Sequence, residues 1–327
     1  MLRYIEENGR RYCDDSYFMP NDEAELTRLT IIHQIYLILL DGRLTTAPLT
    51  AHAPRILDVG TGPGDWAIEM SAQHPGATII ASDLGVFDSG LGHLSLPNID
   101  FQLADAQSEW TYHEPFDLIH VRGLSGAFQD WRAIYNQSFA HLKPGGYIEV
   151  ADADPAADTI TVPYDDSDSH SESDPDSSYI RIYASALRSA ADRAGYPRDL
   201  DHLRTESLAA AGFVDVRVLE RTIPIGLWPD DFHEKTLGKM GLIALLEGIE
   251  ANALRPLTRD GNYSLEAVHE LCENVKMELI SSDHLTVRVR IVTARKPVSQ
   301  AQKKEEVLAR AKDRVKAFDE RVGRKYK

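Results

Sequence analysis

Apolar residues along this chain change period several times, and the changes mark its elements. After Pro20-Asn21-Asp22, residues Leu26, Leu29, Ile32, Ile35 (or Tyr36) and Leu39 recur at helical spacing. A helix is expected there, capped by Asn21 or Asp22 and ended by Gly42. Short apolar runs then alternate with helical stretches. Arg55-Ile-Leu-Asp-Val-Gly60 predicts a buried strand, residues 65–74 a helix, and Thr78-Ile-Ile-Ala-Ser-Asp83 a second strand. Residues 99–105 and 116–122 predict two more strands. A helix over 130–142, stopped by Lys143-Pro-Gly-Gly146, precedes a fifth strand over 147–150. Strands joined by helical crossovers imply a mostly parallel α/β sheet with helices on both faces.

Residues 152–178 are crowded with Asp and Ser and lack apolar periodicity, which predicts a mobile loop or insertion. Helices are expected over 179–194, 202–211, 231–253 and 264–281, and strands over 213–223 and 285–294. The expected organisation is an arm and helix over 1–50 and a main domain over 51–297 with helical cap elements at about 229–282. A basic tail over 298–327 carries an apolar stripe, Val307, Ala311, Val315, Phe318 and Val322.

Composition narrows the function. A chain of 327 residues that is 43% hydrophobic can bury a sizeable core. Its formal charge of -16 argues against nucleic-acid binding, which needs clustered Lys and Arg. Only Cys13 and Cys272 are present, so neither a disulfide framework nor a metal site is expected. No run is long and apolar enough to span a membrane, and residues 1–7 lack a signal-peptide core. A cytoplasmic location is expected, with the nucleus as the alternative.

The candidate chemistry begins at Asp58-Val-Gly60-Thr61-Gly62-Pro63-Gly64, where a buried strand becomes a helix. Glycines there let backbone approach a ligand closely. Ligands of open α/β sheets bind at this edge. No Gly-Lys-Ser/Thr follows, so this is not a phosphate loop. Asp65 stands where the dinucleotide fingerprint has its third glycine, and an acid there repels a pyrophosphate. Asp83 ends the next strand, about twenty residues on, where a carboxylate can accept ribose hydroxyls. The combination points to an adenosine ligand without phosphates, of which S-adenosylmethionine is the common one.

At these residues the chain resembles the class I S-adenosylmethionine-dependent methyltransferases, and within them the fungal LaeA-like secondary-metabolism group. The resemblance is carried by Glu7-Asn-Gly-Arg-Arg-Tyr12, Met19-Pro-Asn-Asp-Glu23 with Arg28-Leu29 and His33, and Ile56-Leu-Asp-Val-Gly-Thr-Gly62 with Trp66-Ala67-Ile68. Ala104-Asp-Ala106 with Glu109-Trp-Thr-Tyr112, Phe116-Asp-Leu-Ile-His-Val-Arg122, Leu142-Lys-Pro-Gly-Gly146 and Ala211-Gly-Phe-Val214 continue it, over about residues 4–296. Pro63 and Asp65 depart from the group's usual Gly-Thr-Gly-Thr-Gly-Ile-Trp.

The resemblance implies a seven-stranded Rossmann-like fold and a set of residue roles. Asp58 and the backbone of Gly60, Thr61 and Gly62 would hold the methionine moiety. Asp83 would bind the ribose and Leu84 would lie against the adenine, whose amino group Asp105 would accept while Ala106 supplies a donor. Arg122 and His120 would lie near the sulfonium. His120, then His33, then His113 are candidate general bases. Tyr4, Tyr12 and Tyr17 on the arm are candidate lid residues, because aromatic faces attract cations. Tyr12, Tyr17, Trp110 and Trp228 are the candidate substrate-pocket residues, with Tyr112 and Trp131 as further aromatics.

The expected partner is a small molecule with an oxygen, nitrogen or sulfur nucleophile; a homodimer or a regulatory protein partner is left open. The alternatives are a LaeA-like regulatory scaffold in a nuclear complex, or an enzyme that binds the cofactor and catalyses another reaction such as a cyclisation. Gly123-Leu-Ser-Gly-Ala127 nearly matches a hydrolase nucleophile elbow but lacks the final glycine.

Overall fold

The computed structural model of the chain describes residues 4–85, 96–157, 159–161 and 178–298. The arm opens as a hairpin of β1 (Ile5–Glu7) and β2 (Arg10–Tyr12). Its turn is Asn8-Gly9 with φ of 51° and 75°, a left-handed pair whose twist suits a two-residue hairpin. The helix α1 (Glu23–Leu39) follows, and Asp22 caps it by accepting the Glu25 N–H at 3.1 Å.

The alternating part then runs β3 (Arg55–Val59), α2 (Asp65–Gln73), β4 (Thr78–Asp83), β5 (Ile99–Leu103), β6 (Phe116–Arg122), α3 (Trp131–His141) and β7 (Leu142–Asp152). After β8 (Ile160–Thr161) come α4 (Tyr179–Ala194), α5 (Thr205–Ala210), β9 (Val214–Pro224), α6 (Phe232–Arg259), α7 (Leu265–Ser281) and β10 (Thr286–Arg295). The main sheet has the order β5-β4-β3-β6-β7-β10, with β9 on the outer edge of β10 and β8 pairing with its first two residues. The strands β3 to β7 are parallel, and β10 runs antiparallel to both β7 and β9. This is the expected Rossmann-like α/β sheet, with its strand order reversing around β3 and β6, and the two-residue β8 makes an eighth strand beside the seven expected.

Three local expectations need correction. Lys143-Pro-Gly-Gly146 does not stop the helix before a short strand; it lies inside β7. A register slip opposite residues 116–118 absorbs it, and Gly145 sits at a φ of 88°. The predicted loop at 152–178 starts too early, because Asp152 and Asp154 are buried and β8 pairs with β10. The rest of that loop, residues 162–177, and the tail from 299 onward lie outside the described residues. In place of one helix over 202–211 stand a single 3-10 turn, Asp201–Leu203, and the short α5.

The helices α4, α6 and α7 pack with α1 over one face of the β9-β10 half, around Tyr183, Leu187, Leu254, Leu257 and Val275. Trp131, Ile134 and Tyr135 of α3 fill the space against the central strands. Among the described residues no helix is long and apolar enough to cross a membrane. The result is a helical roof standing over the carboxyl edge of β3, β4 and β6, where the glycine turn lies.

Candidate cofactor and acceptor site

The turn after β3 is built by three glycines with left-handed φ: Gly60 at 68°, Gly62 at 56° and Gly64 at 90°. A Cβ on Gly60 would stand 2.7 Å from the Leu124 side chain, and one on Gly64 would stand 2.8 Å from the Phe101 ring. The backbone conformation favours glycine at all three, and at Gly60 and Gly64 a side chain would also have to push a neighbouring side chain aside. The turn is tied to β4, since the N–H groups of Gly60 and Thr61 both donate to the Ser82 carbonyl at 2.8 and 3.0 Å.

Asp83, at the end of β4, holds the other side of the turn. Its Oδ2 accepts the Gly62 N–H at 2.8 Å and its Oδ1 the Gly85 N–H at 2.9 Å. Burial pushes this carboxyl above its ordinary range, against the pull of those backbone donors. Each oxygen keeps acceptor capacity, because an ionised carboxylate offers about four lone-pair sites. Leu84 follows at the lip, half-buried.

Asp58 faces inward from β3. Its Oδ2 accepts the Thr61 hydroxyl at 2.7 Å, and its Oδ1 lies 2.7 Å from Nδ1 of His120. The His120 ring stacks on Trp66 with centroids 3.9 Å apart and planes 1° from parallel. Trp66 is itself fixed by its Nε1–H donating to the Leu44 carbonyl at 2.7 Å. An ionised Asp58 therefore sets His120 with a proton on Nδ1, and Nε2 has no hydrogen-bond partner among the described residues.

His33 is arranged differently. Arg122 Nη2 donates to its Nδ1 at 3.2 Å, so the ring proton sits on Nε2, 3.3 Å from Glu69 Oε2. Burial, helped by the Arg122 charge, lowers the His33 pKa to about 4. With its lone pair already taken by a guanidinium, His33 is poorly suited to the role of base; it holds Arg122, whose guanidinium lies 4.7 Å over the Tyr36 ring. Burial draws the Arg122 pKa below its ordinary value.

A single cavity of about 240 Å³ joins these groups. Asp58, the glycine turn, Asp65, Trp66, Asp83, His120 and Arg122 line one end. The other end is walled by Ile32, Ile35, Ile223, Ile225, Leu245, Ile249, Val287 and Val289 under the roof of α6. Among the described residues six carboxylates and three guanidiniums line the cavity, so this lining carries net negative charge. A cationic ligand fits that charge, and a polyphosphate does not. The unusual Asp65 belongs to this pattern, with its Oδ2 accepting the Thr30 hydroxyl at 2.8 Å.

Of the other expected residues, Tyr17 lines the cavity. Tyr12 does not: it is fully buried beneath the Arg255 guanidinium, 3.5 Å from its ring centroid. Trp110 packs with Tyr112 and His141 and donates to the Ala106 carbonyl, away from the cavity. Trp228 donates to the Leu285 carbonyl at 3.3 Å and packs beside His284. Both tryptophans are corrected to packing residues. Asp105 and Ala106 stand on the turn after β5, beyond the lining, where Asp105 is exposed and accepts the Gln107 N–H at 2.8 Å. Residues 86–95, between this turn and Leu84, lie outside the described residues. Ser125 of the near-elbow has no histidine partner, so no hydrolase relay forms.

Several lining residues escaped the reading of the sequence: Glu25 with Arg28, Asp152, Asp154, Arg198 and Asn252. The Glu25–Arg28 pair, joined by two hydrogen bonds of 2.5 and 2.7 Å, left one signal, two charges on the apolar face of a helix. The others lie 44 and 54 residues apart in sequence and left none.

Comparison with known proteins agrees with this geometry. Residues 31–210 match the family described as "Methyltransferase domain". The chain is 35% identical over 304 residues to "Secondary metabolism regulator LAE1" of Cochliobolus heterostrophus, covering 89% of this chain and 94% of that protein. It is 31% identical over 300 residues to "Methyltransferase pytC" of Aspergillus terreus, covering 90% and 89%. To "Protein-methionine methyltransferase laeA" of Emericella nidulans it is 29% identical over 310 residues, covering 90% and 77%. With the glycine turn, the acid ending the second parallel strand and these matches in hand, the chain belongs to the S-adenosylmethionine-dependent methyltransferases, among the LaeA-like fungal proteins.

Proposed function

We propose that this protein transfers a methyl group from S-adenosylmethionine to an oxygen, nitrogen or sulfur of a small molecule held under α6. The observation that carries the reading is the continuity of one cavity from Asp83 and the glycine turn to the apolar walls beneath α6. Such continuity brings a cofactor and an acceptor into one space, as methyl transfer between them requires.

In this reading Asp83 accepts the ribose hydroxyls, and Leu84, Asp105 and Ala106 stand on the adenine side. Gly60, Thr61 and Gly62 present backbone to the methionine moiety, and Arg122 pairs with its carboxylate. The bound cofactor supplies an already activated methyl group on a sulfonium, so the chain has only to align the acceptor and exclude water. His120 takes the acceptor's proton at Nε2, while Asp58 holds the ring from Nδ1 and stabilises the charge that results. Trp66 fixes the plane of that ring. The hydrophobic walls and Tyr17 enclose the acceptor.

Calorimetric titration with S-adenosylhomocysteine tests the first half of the reading. The native protein should release heat with one-to-one stoichiometry, and Asp83→Ala should bind at least about tenfold more weakly, as expected for loss of charged hydrogen bonds. No binding by the native protein would overturn the reading. Mass spectrometry of fungal small-molecule extracts incubated with enzyme and cofactor, searching for a gain of one methyl group, tests the second half.

A further inference from the structure

The acceptor end of the cavity holds a polar cluster that the methyl-transfer reading leaves unexplained. Arg198 is only 3% exposed. Its Nε donates to Asp154 Oδ2 at 2.9 Å, and its Nη2 to Asp154 Oδ1 and Asn252 Oδ1, both at 2.8 Å. Its third nitrogen, Nη1, is buried without a hydrogen-bond partner among the described residues. Ser125, 4% exposed, is in the same condition: its N–H donates to Asp152 at 2.7 Å, while its Oγ has no partner. Arg198, Asp154, Asn252 and Ser125 all line the cavity.

The two groups are neighbours by construction. Gly126, next to Ser125, has a φ of 75°, and a Cβ there would stand 2.7 Å from Arg198 Cγ. The guanidinium also lies 4.7 Å over the Phe18 ring, which fixes its plane. A buried N–H without an acceptor carries a desolvation cost that a ligand oxygen relieves. Asp154 balances the charge of the Arg198 guanidinium, which stays protonated, and Asp152 adds a further carboxylate beside Ser125.

We propose that Arg198 Nη1 and Ser125 Oγ form an oxygen subsite that reads an uncharged carbonyl of the methyl acceptor. Beyond this cluster Ile223, Ile225, Ile249 and Val289 make apolar walls, so the rest of the acceptor is a hydrocarbon-rich body. The compensated guanidinium offers donors without net attraction for an anion, and the excess of carboxylates along the cavity repels acids and phosphates. A neutral ketone, lactone or quinone is therefore favoured over a carboxylic acid of the same shape. This rests on the methyl-transfer reading for the identity of the chamber, and it adds the class of molecule the chamber selects.

Three probes of one shape test it: 1-tetralone, its hydrocarbon tetralin, and tetralin-1-carboxylate. Binding of each is measured by ligand-observed NMR on full-length protein saturated with S-adenosylhomocysteine, whose own affinity is measured separately. The ketone should bind about tenfold more tightly than the hydrocarbon, as one hydrogen bond to a charged donor allows, and the carboxylate most weakly. Arg198→Lys keeps a cation beside Asp154 but removes the Nη1 donor, and it should abolish the ketone preference while S-adenosylhomocysteine binds as in the native protein. Ser125→Ala should reduce the preference in part, and serves if the lysine variant fails to fold. Equal binding of ketone and hydrocarbon, tightest binding of the carboxylate, or a preference that survives both variants would overturn the subsite. Failure of S-adenosylhomocysteine to bind would instead overturn the cofactor reading.

Discussion

Asp58 and His120 are register partners on the two central parallel strands, and their side chains meet at 2.7 Å between Oδ1 and Nδ1. Because the pair is built across β3 and β6, its geometry is set by the sheet and not by a loop. Replacing His120 by Ala should lower kcat by about a hundredfold or more, the usual contribution of a positioned base. Asp58→Asn keeps an acceptor near Nδ1 but loses the charge that stabilises the imidazolium, so it should lower kcat with little change in KM. Both are measured with the acceptor that mass spectrometry identifies, alongside S-adenosylhomocysteine affinity. Unchanged kcat in His120→Ala would remove the histidine from the chemistry.

The glycine turn makes a steric prediction. At Gly60 any side chain meets both a left-handed φ and the Leu124 side chain at 2.7 Å. Gly60→Ala should destabilise the fold by about 1–3 kcal/mol, the cost of holding such a backbone, and weaken cofactor binding. Thermal unfolding with and without S-adenosylhomocysteine reads both effects. Gly123→Ala is the comparison: its φ is 70° but nothing lies within 4 Å of a new Cβ, so it should cost less.

His33 gives the fold a dependence on acid. Its pKa falls from the ordinary 6.5 to about 4 because it is buried beside Arg122. Between those values the unfolded chain takes up a proton that the folded chain does not. The neutral ring's contribution is therefore whole above pH 6.5 and lost progressively as pH falls toward 4. The full difference is worth about 3 kcal/mol. His33→Gln preserves an acceptor for Arg122 and cannot titrate, so its melting temperature should fall less than that of the native protein between pH 7 and pH 4.5. Parallel curves for the two proteins would show that His33 takes up its proton at the same pH in the folded and the unfolded chain.

The alternating sheet was legible because each of its central strands is a short apolar run bounded by turn residues, with Thr78–Asp83 and Phe116–Arg122 recovered to the residue. The hairpin at the start was legible in principle from Asn8-Gly9, although three-residue strands are too short for periodicity to mark. The cofactor side of the site could be read because a glycine turn and Asp83 are local features, each placed by one strand. The acceptor side could not. Asp154 lies in a stretch whose composition resembles a solvated loop, and its burial depends on Arg198, forty-four residues away. Trp110 and Trp228 show the converse error: aromatic residues announce packing as readily as they announce a pocket, and their indole N–H groups are spent on backbone carbonyls.

The arm makes the last prediction, because the last turns of α6 grip it and Arg255 reaches the most arm residues. Arg255 lies 3.5 Å from the Tyr12 ring centroid, donates to Glu7 at 2.9 Å, and donates to the carbonyls of Asp14 and Tyr17 at 2.8 and 2.7 Å. One turn on, Arg259 reaches the same Glu7 and also Asp15. Removing Arg255 leaves the Asp14 and Tyr17 carbonyls without their donor, leaves Glu7 to Arg259 alone, and exposes the Tyr12 face. Arg255→Ala should therefore loosen the arm by about 2 kcal/mol, the order expected when buried carbonyls lose a charged donor. Limited trypsin digestion should then cut at Arg10 or Arg11 before the rest of the chain is attacked. Tyr17, Met19 and Pro20 of the same arm line the cavity, so S-adenosylhomocysteine binding should weaken in parallel. If the digestion pattern and the binding both match the native protein, the arm is held by its hairpin and α1 alone, and the guanidinium is a passenger in the packing.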